Sequence, residues 1–301
     1  MKIGYPCINR TVQCSGNKTF RLRSYSRERL IRAIGNNLDC LERVLRFNIE
    51  HGILFFRITS DLVPFASHPV CKVNWQGIFK ERFRQLGDLI KAHGLRISMH
   101  PDQFIVLNSP DEGVLRRSIA ELEYQACVLD LMGLDGSAKI QLHVGGVYGD
   151  KAGAMARFIR RWRGLSRSLR RRLVIENDEK NYGIDDCLFI SRKTGAPVLF
   201  DAFHYRLYGG LGDLALVMAD IQKTWGAKDG LPMVDYSSQK KGARPGAHAQ
   251  SIDRKDFLRF LEATRPFDFD MMLEIKDKER SALMALKLIH KNRCPGQPMQ
   301  V

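Results

Sequence analysis

The sequence predicts an α/β fold of the (β/α)8 TIM-barrel type, with residues 1–301 forming one domain. Three observations carry that expectation. Eight short β-rich runs alternate with longer amphipathic stretches, and the last six runs each end in His, Asp or Glu. The glycine-rich turn that usually marks the first strand of a doubly wound sheet is missing. A chain of 301 residues, 44% of them hydrophobic, can bury a sizeable core, and no stretch of linker composition divides it.

The first run is KIGYPC (2–7). The segment after it, INRTVQCSGNKTFRLRS, has neither G-x-G-x-x-G nor G-x-x-x-x-G-K-[ST] spacing, so no nucleotide cofactor is expected. SRERLIRAIGNNLDCLERVLRFNIEHG (26–52) has apolar residues at helical spacing and a closing glycine. LFFRITS (54–60) is the second run, and NWQGIFKERFRQLGDLIKAHG (74–94) reads as its helix. RISMH (96–100) is followed by the helical SPDEGVLRRSIAELEYQACVLDLMG (109–133). After KIQLHV (139–144) comes the glycine-rich HVGGVYGDK, which matches no phosphate loop and reads as an ordinary turn. RFIRRWRGLSRSLRRR (157–172) holds eight arginines and leads into the fifth strand, so its end is expected at the barrel bottom as a solvated basic face. RLVIEN (172–177), PVLFDAFH (197–204), PMVDYSS (232–238) and DMMLEIK (270–276) complete the strands, and SIDRKDFLRFLEATRP (251–266) is the helix before the last.

The 48 Lys and Arg against 33 Asp and Glu leave a net charge of +15, which suits a polyanion such as nucleic acid. Seven cysteines (7, 14, 40, 71, 127, 187, 294) are odd in number, scattered and without a C-x-x-C pair, so reduced thiols in a cytoplasmic protein are expected. The start MKIGYPCINR has no long apolar segment, and no window approaches the roughly 18 apolar residues of a membrane helix.

In a TIM barrel the chemistry sits at the carboxyl ends of the strands. His51 and His93 each precede a glycine at a helix end, and His290 lies in a last turn, so all three read as structural. His68, His100, His143, His204 and His248 instead stand at strand ends or in the loops after them, beside Glu176, Asp201, Asp235 and Glu274. Carboxylates and imidazoles converging on one rim would perturb one another strongly unless divalent cations neutralised the acids and accepted neutral imidazoles. Such ligation without cysteine suits zinc, manganese or iron, with carboxylate bridges between two or three ions. Ser237-Ser238-Gln239-Lys240 fits S-x-x-K but lacks the companion motifs of a serine acyl enzyme. Lys240, Lys241 and Arg244, with Lys18, Arg21 and Arg23, are candidates for phosphate contact on the same rim.

The start KIGYPCIN, the stretch SMHPDQF, the D-x-x-H of Asp201 to His204 and the ending LEIKDKE together resemble the UV damage endonuclease family over essentially the whole chain. The resemblance implies a TIM barrel related to endonuclease IV. It also implies a metal-dependent DNA-repair endonuclease that cuts 5′ to UV photoproducts, both cyclobutane dimers and (6-4) photoproducts, and to abasic sites. The products are a 3′-hydroxyl and a 5′-phosphate. The implied ligands are His100, His143, Glu176, Asp201, His204, His248 and Glu274, with manganese as the metal. Gln103 and Phe104 fall on the probe pair that fills the gap when damaged bases flip out, and Tyr5, Asn9 and His68 match positions near the lesion and scissile site.

Two departures bear on that expectation. Phe104 stands where some members have tyrosine, which keeps the stacking face and loses a hydroxyl. Met233 and Asp235 stand where a modified lysine and a histidine can be ligands, so Asp235 is expected as a replacement ligand and the ion count is two or three. The expected mechanism is attack by metal-activated hydroxide, with Glu176 and Glu274 as bridging carboxylates and His68 in the active site. The expected partner is damaged double-stranded DNA, bound by a monomer in the cytoplasm at the nucleoid. Rival readings are a general abasic-site endonuclease, a metal-dependent sugar isomerase on the same barrel, and a non-catalytic damage-binding protein; the net charge and the Gln103-Phe104 tip favour DNA.

Overall fold

A computed structural model describes residues 1–293, in which eight parallel strands close into a barrel in sequence order. The strands are β1 (Ile3–Pro6), β2 (Phe55–Ile58), β3 (Arg96–Met99), β4 (Lys139–His143), β5 (Leu173–Glu176), β6 (Val198–Asp201), β7 (Met233–Tyr236) and β8 (Asp270–Leu273). Each coincides with one of the eight runs, and β8 closes on β1 through Ile3–Met271 and Gly4–Met272. Gly4 is required where β1 meets β2, because a Cβ there would run into the Phe55 backbone.

The helices are α1 (Arg27–Glu50), α2 (Trp75–Ile78), α3 (Lys80–Ala92), α4 (Glu112–Leu131), α5 (Lys151–Gly164), α6 (Arg167–Arg170), α7 (Ile184–Thr194), α8 (Ala202–Leu207), α9 (Leu214–Gln222), α10 (Arg254–Ala263) and α11 (Glu279–Arg293). In α1 the buried Leu30, Ile34, Leu38, Leu41 and Leu45 form one stripe at spacings of three and four, and the Ser26 hydroxyl caps it by accepting from the Arg29 amide at 3.2 Å. His51 and His93 are the C-cap residues of α1 and α3, each followed by a glycine in the left-handed region. The 74–94 stretch forms two helices, with the break at Phe79.

Strand alternation sorts the barrel interior into three layers. Phe55, Val174, Leu199, Met233 and Met272 form a buried apolar cluster separate from the larger one that includes the helices' apolar faces. Met233 is thus a packing residue of the barrel's middle. Two positions further along the same five strands stand Arg57, Glu176, Asp201, Asp235 and Glu274, the rim layer. The floor layer holds Arg96, Lys139 and Asp270 at the starts of β3, β4 and β8 and Arg172 just before β5, all buried.

Three expectations are corrected. Cys14 and Cys40 form a disulfide across 26 residues, with Cα atoms 5.7 Å apart, because the segment after β1 folds back onto α1. The cysteines therefore carry no argument for a reducing compartment; Cys7, Cys71, Cys127 and Cys187 are free, and Cys294 lies outside the described residues. The sixth strand ends at Asp201 rather than His204, because Asp201 caps α8 by accepting from the Phe203 and His204 amides, each at 2.7 Å. The arginine-rich run is only partly a solvated face. Arg157 donates to the Asn108 carbonyl at 3.1 Å, Arg161 to the Leu107 carbonyl at 2.9 Å, and buried Arg172 to the carbonyls of Leu134 and Ala138 at 2.8 and 3.1 Å. Among the described residues no helix is long and apolar enough to cross a membrane.

Candidate metal centre

The rim is assembled by register. His143 on β4 pairs with Glu176 on β5, and Asp201 on β6 with Asp235 on β7, so each strand delivers its polar end to the same level. His100 follows β3 directly, and Pro101 after it supplies no further ladder amide. His204 arrives differently, one helical turn after Asp201, which is the physical content of the D-x-x-H spacing.

Glu176 is the hub. Its buried carboxylate has His100 Nε2 at 3.3 Å, His143 Nε2 at 3.7 Å and His204 Nδ1 at 3.5 Å, while His204 Nδ1 also lies 3.3 Å from Asp201. Two groups have ligand atoms within 4.8 Å of one another: His100, His143 and Glu176, and Glu176, Asp201 and His204. Three imidazoles and two carboxylates with a shared Glu176 are a donor set that fits divalent transition-metal ions.

The electrostatics of the cluster's own side chains agree. Burial would raise the Glu176 carboxyl, but His143 and His100 hold it well below the ordinary value. Burial, with only partial relief from His204, pushes Asp201 well up, and burial pushes Asp235 up to about 7. His143 is pushed down by burial, while Asp201 and Glu176 overcome burial at His204 and raise it to about 11. Neighbouring acids are thus pushed in opposite directions, the mutual perturbation expected where carboxylates and imidazoles converge without a cation.

The remaining expected ligands are placed less uniformly. His248 Nδ1 is held by the Ser237 hydroxyl and the Glu274 carbonyl, both at 2.7 Å, which leaves Nε2 as the ring atom available to a metal. One Glu274 oxygen is occupied by the Arg57 guanidinium, which with its ion pair holds Glu274 at about 2 against the opposing effect of burial. Asp235 departs furthest from expectation. Its Oδ2 accepts from Arg57 at 2.6 Å and from Gln141 Nε2 at 2.7 Å, so this oxygen serves as the counter-ion of a buried arginine. Gln141 Nε2 also lies 2.9 Å from Glu176 Oε2 and so links the two acids. Asp235 Oδ1 and Gln141 Oε1 are buried without partners.

Arg57, Gln141 and Glu179 are not among the residues that the sequence singles out, and Ser237 enters there only through the dismissed S-x-x-K match. Glu179 brings a carboxylate within 3.7 Å of His204 Nε2. A signal existed for Arg57, since it is a charged residue inside the apolar run LFFRI.

Around the rim, Gln103 and Phe104 occupy the corners of a turn closed by the Ile105 amide donating to the Asp102 carbonyl at 2.9 Å. Phe104 is 67% exposed, unusual for a large aromatic side chain. It lines a cleft of about 500 Å³ with His68, Phe65 and Asp102. His68 accepts from the Val70 amide at 3.0 Å and makes no hydrogen bond or ion pair with the ligand cluster among the described residues; it lines the same cleft as Phe104. Tyr5 and Asn9 are buried: the Tyr5 hydroxyl donates to Asn48 at 2.6 Å and accepts from Asn9 at 2.7 Å, while Asn9 accepts from the amides of Thr11 and Val12. Through these bonds they hold the loop after β1. Lys240, Lys241 and Arg244 project from a hairpin-like loop pinned by the Gln239–His248 bridge, so the loop that supplies His248 also carries these cations. Lys18, Arg21 and Arg23 are exposed after β1.

Comparison with known proteins places this geometry. The family described as UV-endonuclease UvdE matches residues 1–294. A UV DNA damage endonuclease of Clostridium perfringens is 41% identical over 288 residues, covering 95% of this chain and 70% of the relative. The crystal structure of SacUVDE superposes with a TM-score of 0.92 at 43% identity, covering 97% of this chain and 99% of that one. Endonuclease IV from Thermus thermophilus, at 18% identity and a TM-score of 0.56 over 82% of this chain and 92% of its own, shares the fold.

Proposed function

The chain belongs to the UV-endonuclease UvdE family, and from that premise we propose that it is a DNA-repair endonuclease that cuts the phosphodiester 5′ to UV photoproducts. Abasic sites are a second substrate, and the products carry a 3′-hydroxyl and a 5′-phosphate. The observation that carries the reading is the joint placement, on one barrel rim, of a His and carboxylate cluster around Glu176 and an exposed aromatic turn at Phe104.

The geometry supports a division of labour. Lys240, Lys241 and Arg244 neutralise backbone phosphates and set the register of the duplex. The Gln103-Phe104 turn enters the stack at the lesion, where the ring replaces lost base stacking and the amide hydrogen-bonds an orphaned base. A lesion that already weakens stacking lowers the cost of this step. His68, beside Phe104, binds in the same cleft. His100, His143, Glu176, Asp201 and His204 would hold divalent ions, Mn2+ in this reading, with His248 and Glu274 next to them. Such ions supply Lewis-acid charge for water activation and leaving-group stabilisation. Glu176 is shared between both ligand groups, and Ser237 fixes His248 so that it presents Nε2.

The test is an end-labelled duplex carrying one cyclobutane thymine dimer, incubated with the protein and Mn2+ beside undamaged and abasic duplexes. The expected result is a chelator-sensitive nick immediately 5′ to the dimer. Cleavage of the abasic duplex alone would replace the proposal with a general abasic endonuclease.

A further inference from the structure

Arg57 is the one basic residue in the rim layer of the barrel interior among the described residues. It is almost wholly buried at 3% exposure, and its guanidinium spans two acids: NH1 donates to Glu274 Oε1 and NH2 to Asp235 Oδ2. From Asp235 the chain of contacts continues through Gln141 to Glu176, the hub of the ligand cluster. Arg57 therefore belongs to the centre's polar network. It also closes part of that network to metal, because an ion within ligand distance of both Glu274 Oε1 and Asp235 Oδ2 would lie against a permanent positive charge.

Charge counting points the same way. With Glu176, Asp201, Asp235 and Glu274 ionised, the rim holds four negative charges, and Arg57 cancels one. Two divalent ions then leave a single positive charge, which one phosphodiester balances. A third ion would leave three positive charges in a buried layer, a costly surplus.

We propose that Arg57 is the fixed cation of this centre: lodged between Asp235 and Glu274, it stands where a further divalent ion would bind, limits the centre to two ions and positions Glu274 beside them. The inference rests on the metal-site reading above. Arg57 is a positioning residue here, acting through the two carboxylates it holds.

Metal counting tests it without reference to nicking. The protein is stripped with chelator, saturated with Mn2+, freed of excess by gel filtration and analysed by plasma mass spectrometry. The wild-type chain and Arg57→Lys, which keeps a cation, are expected to retain two ions. Arg57→Gln removes the cation from both oxygens and is expected to retain three; Arg57→His, which offers a neutral ligand at the same place, serves if Arg57→Gln does not fold. Any wild-type count other than two overturns the proposal, as does a folded Arg57→Gln or Arg57→His that still holds two. A wild-type count of zero would also sink the metal-site reading, whereas a count of three would leave that reading standing.

Discussion

The two charged layers of the barrel interior, separated by one apolar layer, are built on opposite rules. At the floor, charges are matched. Arg96 donates to Asp270 at 2.8 Å and Lys139 to Asp229 at 2.5 Å, Asp270 also accepts the Lys2 amide at 2.6 Å, and Arg172 is surrounded by carbonyls and Asp130. Trp225 packs against the apolar layer and offers its ring to Arg96 at 5.5 Å. At the rim, Glu176, Asp201, Asp235 and Glu274 share one arginine and crowd against three imidazoles. Buried charge that is paired belongs to folding; buried charge in excess of its partners marks a place where something else must bind.

Mutation at the two layers should therefore separate activity from stability. Glu176→Gln removes the carboxylate common to both ligand groups. Nicking of a dimer-containing duplex should fall by on the order of 10³-fold or more, the several kcal/mol that metal-borne charge stabilisation supplies, while the thermal midpoint stays level or rises. A fall in midpoint comparable to a core mutation would dissolve the contrast. At the floor, Asp270→Ala strands buried Arg96 and should destabilise the fold by about 3–5 kcal/mol in denaturant titration, leaving the Mn2+ count unchanged. A variant that lost metal before stability would mean the layers are not distinct.

Smaller effects sharpen the picture outside the barrel. Phe104→Ala should weaken binding to dimer-containing DNA by about 1–3 kcal/mol, the usual contribution of one stacked base, without moving the thermal midpoint, since the ring is 67% exposed. Equal weakening on undamaged duplex would remove Phe104 from lesion recognition. Lys240→Ala should lower the slope of log affinity against log salt by about 1 on damaged and undamaged duplex alike.

Proton linkage gives a further difference. In the metal-free protein His204 is raised from 6.5 to about 11: burial lowers it, but Asp201 and Glu176 prevail. Its contribution to metal-free stability is complete below about pH 6.5 and disappears as pH rises through about 11. An incoming ion must displace that proton, so apparent Mn2+ affinity should climb with pH by about tenfold per unit for each proton released. Calorimetry in two buffers of different ionisation enthalpy reads this directly; an affinity flat across the neutral range would mean His204 binds no metal.

The strands were legible because each combines a short apolar run with a polar end, and the rim acids because a strand's period of two carries inward positions in step from Phe55, Val174, Leu199, Met233 and Met272 to the layer above. Arg57 and Gln141 were not singled out because a polar residue within a four- or five-residue strand reads as ordinary alternation until the barrel closes and shows which way it faces. The Cys14–Cys40 pair depends on how one loop lies on α1, which residue spacing does not encode. Tyr5 and Asn9 look like rim residues in sequence, yet their mutual hydrogen bond and Asn48 draw them inside. His204 is legible from its place at the end of the sixth run, but its helical placement is not, because the strand-like run continues unbroken to Phe203.

The most direct test of the contrast between matched floor and unmatched rim is crystallographic. Crystals of the protein soaked in Mn2+ and measured at the manganese edge should show anomalous peaks between His100, His143 and Glu176 and between Glu176, Asp201 and His204, with none at the floor. A rim without anomalous density, its carboxylates arranged as in the metal-free protein, would contradict the account.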